Sequence, residues 1–213
     1  MASATPTPDG WRAVDRYFAD TLVGHDPALE AAVGKFLHLL ARISGARRVL
    51  EIGTLGGYST IWLARGVPDD GRVVTIEAEP ANAAVARANL DRAGVGEKVD
   101  IRVGRGEHVL PQLAGEEPFD LVFIDADKES NALYLDWAAR LGRAGTVIVV
   151  DNVGRGGAVA DAGETAPHVV GTRRGLEMLG DDPRFEATAL QTLDAKGWDG
   201  VALAVVVRPG SVS

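Results

Sequence analysis

Five short apolar runs, each followed by a stretch of helical spacing, leave this chain few folds to choose from. The runs are Arg48 to Ile52, Val73 to Ile76, Val99 to Val103, Asp120 to Ile124 and Thr146 to Val150. The last is nearly all β-branched, as expected of a parallel strand buried on both faces. Between them, Tyr58 to Arg65, Pro80 to Ala93, Gly106 to Leu113 and Asn131 to Leu141 read as helices. Upstream, Trp11 to Leu22 and Pro27 to Ile43 also carry helical spacing. The second starts with Asp26 as N-cap and Pro27 at the first helical position. Downstream, Ala166 to Leu179 reads as a helix, and Ala187 to Gln191 and Val201 to Val207 as strands joined without one. Two strands so joined pair antiparallel at one edge of the sheet. The pattern predicts a doubly wound, Rossmann-like α/β fold, with a mostly parallel seven-stranded sheet and an antiparallel edge strand.

Length and composition narrow the function classes. With 213 residues the chain suits one domain. Residues 1–10, rich in Pro, Ser and Thr, read as a flexible tail. Residues 11–213 read as a single domain. Cysteine is absent, which removes disulfides, thiolate metal sites and cysteine nucleophiles together. A net charge of −8 disfavours nucleic acid and anionic membranes as partners. No apolar run is long enough to span a bilayer, and the N-terminus has no basic region followed by an apolar core, so a cytoplasmic location is expected.

In such sheets ligands bind beyond the carboxyl ends of the strands. After the first strand comes Glu51-Ile52-Gly53-Thr54-Leu55-Gly56-Gly57-Tyr58-Ser59. Leu55 occupies the second glycine of the dinucleotide fingerprint, so a pyrophosphate turn is disfavoured and a smaller anion, such as a carboxylate, fits better. Ser59 offers a further hydroxyl donor. Glu77 ends the second strand, where an acid commonly accepts hydrogen bonds from ribose hydroxyls. The loop Gly104-Arg105-Gly106 after the third strand would flank the base of the same nucleoside. Asp125-Ala126-Asp127-Lys128 follows the fourth strand and Asp151-Asn152 the fifth. Adjacent strands bring Asp125, Asp151 and the Asn152 amide oxygen together. Two close carboxylates repel unless a positive charge sits between them. An all-oxygen donor set favours Mg²⁺, with Mn²⁺ or Ca²⁺ as substitutes. The other reading is that Asp and Asn only close turns.

Three segments together resemble a known family. Val49-Leu50-Glu51-Ile52-Gly53-Thr54, Phe119 through Lys128, and Val150-Asp151-Asn152-Val153 are similar to the motifs of the metal-dependent O-methyltransferases, such as catechol and caffeoyl-CoA O-methyltransferase. The resemblance covers about residues 36–207. It implies S-adenosylmethionine (SAM) as cofactor, held by Glu51, Gly53, Thr54, Ser59, Glu77, Arg105, Gly106 and Asp125. It also implies a divalent metal on Asp125, Asp151 and Asn152, and Lys128 as general base. The acceptor would be a catechol-type phenolic small molecule, covered by the N-terminal helices up to about residue 45. The family often forms dimers, so a homodimer is expected. A small-molecule methyltransferase that uses no metal is the alternative. Family members often carry Asn-Tyr two residues after the lysine, where this chain has Ser130-Asn131 and a tyrosine only at Tyr134. Residues 154–167, rich in Gly and acids, read either as a mobile lip of the acceptor pocket or as a plain solvent loop.

Overall fold

Leu50 and Ile52 point to one face of the first strand and Val49 to the other, and both faces are buried, so helices must cover the sheet on two sides. The computed structural model describes residues 27–194 and 197–210. The expected tail over residues 1–10 and the helix expected over Trp11 to Leu22 lie outside the described residues. The strands are β1 (Arg48–Ile52), β2 (Arg72–Glu77), β3 (Val99–Val103), β4 (Phe119–Ile124), β5 (Gly142–Asp151), β6 (Phe185–Asp194) and β7 (Gly197–Val206). The helices are α1 (Pro27–Ile43), α2 (Tyr58–Gly66), α3 (Pro80–Arg92), α4 (Gly106–Val109), α5 (Asn131–Leu141) and α6 (Pro167–Asp181).

Among the described residues the sheet has seven strands, in the order β3-β2-β1-β4-β5-β7-β6. β1 to β5 run parallel, and β7 runs antiparallel to both β5 and β6. The antiparallel pair expected at one edge is therefore there, with β6 outermost and β7 between it and β5. One layer, from α1, α2 and α3, packs on Val49, Val73, Leu121, Phe123 and Val149. The opposite layer, from α4, α5 and α6, packs on Leu50, Ile52, Val122, Ile124, Ile148 and Val150. Each fully buried Val, Leu, Ile or Phe contributes about 1.5–3 kcal/mol.

The helix expected over Gly106 to Leu113 is split. α4 ends at Val109, and Leu110–Leu113 tightens into a 3₁₀ turn with Pro111 in its first positions. Proline has no N–H to extend the α ladder.

Register decides where the chemistry sits. Ile52 pairs with Ile76 on one side and with Ile124 on the other, and Ile124 pairs with Val150. Gly53, Glu77, Asp125 and Asp151 therefore occupy the next positions along four neighbouring strand ends. Asp151 in turn pairs with Val201 of β7. Among the described residues no helix is long and apolar enough to cross a membrane.

Candidate active site

Gly53 has φ 104°, and a Cβ there would lie 2.0 Å from the carbonyl oxygen of Asp125. Only glycine lets the tips of β1 and β4 touch in this way. Asp125 N–H closes the contact by donating to Ile52 O at 2.9 Å. Leu55, in the expected glycine position, is itself left-handed (φ 47°). Its N–H donates to Glu77 Oε2 at 2.7 Å, which offsets the strain. Glu77 Oε1 accepts from Glu79 N at 3.0 Å and from Asn82 Nδ2 at 3.3 Å. The Glu77 carboxylate is thus fixed by the protein at the end of β2.

Glu51 is buried within β1. Ser59 Oγ donates to it at 2.5 Å, Thr75 Oγ1 at 2.6 Å, and Thr60 Oγ1 donates as well. Thr54 and Thr75 share a further hydroxyl contact at 2.6 Å. Burial raises the Glu51 carboxyl to about 7, and the three hydroxyl donors only partly oppose it. Ser59 thus turns inward to Glu51, where the sequence had suggested a donor to an anion.

This arrangement carries a stability prediction. Between about pH 4.5 and pH 7 the folded chain binds the Glu51 proton more tightly than the unfolded chain does. The contribution is whole below the unfolded value and is lost as pH rises through about 7, up to about 3 kcal/mol. Glu51→Gln removes the titration. Thermal melts of both proteins at pH 5 and pH 8 should show the variant gaining on the wild type at the higher pH. An equal pH response in both would contradict it.

At the ends of β4 and β5 the predicted acids come together. Asp151 is pushed up to about 7, first by desolvation and then by the negative charge of Asp125. Lys128 is buried, and its Nζ donates to Asp125 Oδ1 at 2.8 Å. Its charge also reaches Asp151. Asn152 has φ 56°, and its N–H donates to Asp151 Oδ1 at 2.7 Å. Among the described residues no three His, Cys, Asp or Glu side chains gather into a metal-binding group. The candidate set has only two acids, and its third oxygen is the Asn152 amide. Two carboxylates and an amide are hard oxygen donors, the chemistry that a hard divalent cation requires.

The two halves of the site are linked through Tyr134 of α5. Its ring lies against Gly106, and its hydroxyl donates to Asp127. Ser130 donates to the other Asp127 oxygen. Burial raises the Asp127 carboxyl, but these two hydroxyls, a backbone N–H and the charge of Arg105 together leave it below the usual range. Arg105 is exposed and donates to Glu107 at 2.8 Å. The sequence reading placed Tyr134 on the right helix but gave it no partner.

Residues 154–167 are tied down. Arg155–Ala160 forms 3₁₀ structure, and Arg173 donates to the carbonyls of Val159 (3.2 Å) and Asp161 (2.9 Å). Trp198 is 41% exposed and lies against Gly157. Asp199, beside it, had no assigned role in the sequence.

Residues 19–205 match the family model described as O-methyltransferase. The chain belongs to this family. It is an O-methyltransferase, and the strand-end acids and glycine turn lie within the matched span. It is 55% identical over 210 residues to the catechol O-methyltransferase of Mycobacterium tuberculosis, covering 91% of this chain and 94% of that one. Among solved structures it resembles the O-methyltransferase from Bacillus cereus in complex with SAH (TM-score 0.79, 49% identity, 92% of this chain and 98% of that one). It also resembles the O-methyltransferase TomG from Streptomyces achromogenes, involved in tomaymycin synthesis, in complex with SAM (TM-score 0.80, 46% identity, 94% and 100%).

Proposed function

We propose that this O-methyltransferase uses SAM and a divalent metal to methylate a hydroxyl of a catechol-type small molecule. The observation that carries the metal half of this reading is the register that sets Asp125 and Asp151 side by side at the ends of β4 and β5, with Asn152 next along the chain. The relatives named for SAM, SAH and catechol support the rest.

In this reading the methionine end of SAM lies at Gly53, Thr54 and Asp125, with Glu51 and Ser59 shaping the floor beneath. Glu77 receives the ribose, and the 3.3 Å contact from Asn82 is the one a ribose hydroxyl displaces. The base lies along Arg105 and Gly106, backed by Tyr134. Asp125, Asp151 and Asn152 hold the metal, Mg²⁺ or in its place Mn²⁺ or Ca²⁺. Bound there, such an ion lowers the pKa of a coordinated hydroxyl, which for a free phenol is about 10. With SAM and acceptor bound, Lys128 as the neutral amine would take the hydroxyl proton on Nζ, the oxygen would bond to the methyl carbon, and the carbon–sulfur bond would break to leave SAH. Holding acceptor and methyl in line supplies about 7–11 kcal/mol of the barrier. The reading also includes a cytoplasmic homodimer, supported by exposed Leu190, Val205 and Val207 on β6 and just beyond or within β7. Light scattering tests the dimer.

The deciding experiment is a methyl-transfer screen with labelled SAM over vicinal diphenols and their mono-hydroxy analogues, with and without Mg²⁺. Turnover of the diphenols alone, and only with metal, is expected. Transfer to mono-phenols at the same rate would remove the catechol assignment.

A further inference from the structure

Four consecutive backbone N–H groups follow Asp151, and each is captured. Asn152 N–H donates to Asp151 Oδ1 at 2.7 Å. Val153 N–H donates to the carbonyl of Gly200 at 2.9 Å. Gly154 and Arg155 N–H both donate to Asp199 Oδ1, at 2.8 and 2.9 Å. The same oxygen accepts Gly200 N–H at 2.8 Å. Two adjacent residues of β7 therefore hold three of the four groups.

The segment they hold is strained. Asn152 and Arg155, neither of them glycine, have φ of 56° and 50°. Such conformations persist where the surroundings over-determine them. The two backbones also meet closely, since a Cβ on Gly154 would lie 2.7 Å from the carbonyl carbon of Asp199. The direction of the Asn152 side chain follows from its own φ, and that φ is held by the bonds on either side of it. Charged acceptors make stronger hydrogen bonds than neutral ones, and here one carboxylate oxygen gathers three donors.

We propose that Asp199 is a positioning residue for the metal site: by pinning the backbone of residues 154 and 155 it aims the Asn152 amide oxygen beside Asp151. Asp199 acts through the backbone, with the oxygen facing the loop committed to N–H groups. The proposal rests on the reading that Asp125, Asp151 and Asn152 hold a divalent ion. Partners one shell out from metal ligands commonly affect binding strongly, because they fix the geometry that the ligands present.

The test measures Mn²⁺ binding by the full chain in the presence of SAH, from the electron paramagnetic resonance signal of free Mn²⁺. SAH affinity is measured separately by calorimetry. Asp199→Ala should weaken Mn²⁺ binding by about 10–100-fold. SAH affinity should stay within about twofold, well under a tenfold step of 1.4 kcal/mol. Asp199→Asn keeps an oxygen that can accept the same N–H groups, so it should recover most of the Mn²⁺ affinity. Gly154→Ala keeps the Asp199 carboxylate but wedges a methyl against its backbone, so the two segments must part. It should reproduce the metal defect, and it decides the matter if Asp199→Ala does not fold. Wild-type Mn²⁺ affinity in Asp199→Ala or Gly154→Ala would overturn the proposal, as would parallel loss of SAH binding. Absence of Mn²⁺ binding by the wild type would instead overturn the metal reading on which it rests.

Discussion

Replacing Lys128 with alanine is expected to lower kcat by about 10²–10⁴-fold, the usual range for loss of a positioned acid or base. SAM affinity should fall far less than kcat, because the lysine meets the SAM site only through Asp125 at its methionine end and none of the residues assigned to the ribose or base. A second variant separates proton transfer from charge pairing. Lys128→Arg keeps a cation beside Asp125, but a guanidinium stays protonated in proteins and cannot accept the phenolic proton. Lys128→Arg should therefore be nearly as slow as Lys128→Ala. Initial rates with labelled SAM at saturating acceptor measure both. Full recovery by arginine would reduce Lys128 to a counter-charge for Asp125 and Asp151.

Chelation is the other large effect. Excess EDTA should abolish turnover, and added Mg²⁺ should restore it. The physical ground is the pair of carboxylates at the ends of β4 and β5. Lys128 acts on Asp151 with positive charge, and Asp125 and Asp199 both act on it with negative charge. A divalent ion offsets that excess and orients two vicinal hydroxyls in one step. Binding should also show without catalysis. At a metal concentration about 100 times the Kd, the folded state gains about 2.7 kcal/mol, which thermal melts with and without EDTA read as a higher Tm with metal. Undiminished turnover in excess EDTA would leave Asp125 and Asp151 as a structural pair and favour a metal-free methyl transfer.

Much of the fold was legible because the parallel strands are buried on both faces. Val49, Leu50, Val73, Val74, Val122 and Phe123 have no exposed side to interrupt the apolar run. The hairpin was harder. β6 and β7 pair ten residues deep, and much of that pairing uses Glu186, Gln191, Thr192 and Asp199, which carry no apolar signal. Backbone pairing extends those strands, and a backbone leaves no mark in the sequence.

The candidate site was legible where its residues stand at or just after strand ends: the positions of Gly53, Glu77, Asp125, Asp151 and Asn152 follow from register alone. Thr60 was not, nor was the bond that turns Ser59 inward, because both hydroxyls donate to the buried Glu51. The signal was present as an acid inside an apolar strand with Thr54, Ser59, Thr60 and Thr75 at hand. Asp199 was invisible for a different reason. It lies in a stretch that reads as a connection, and it meets residues 154 and 155 only through the order β5-β7-β6.

That strand order has a consequence for how the enzyme comes into being. β7 follows the other six described strands in the chain, yet it is inserted between β5 and β6. A nascent chain that has emerged as far as residue 160 already carries every proposed ligand and the lysine, but β5 still has an open flank. The anchor at Asp199 arrives about forty residues later. A chain cut short before β7 therefore carries every proposed ligand without the support that, in our proposal, sets the aim of Asn152.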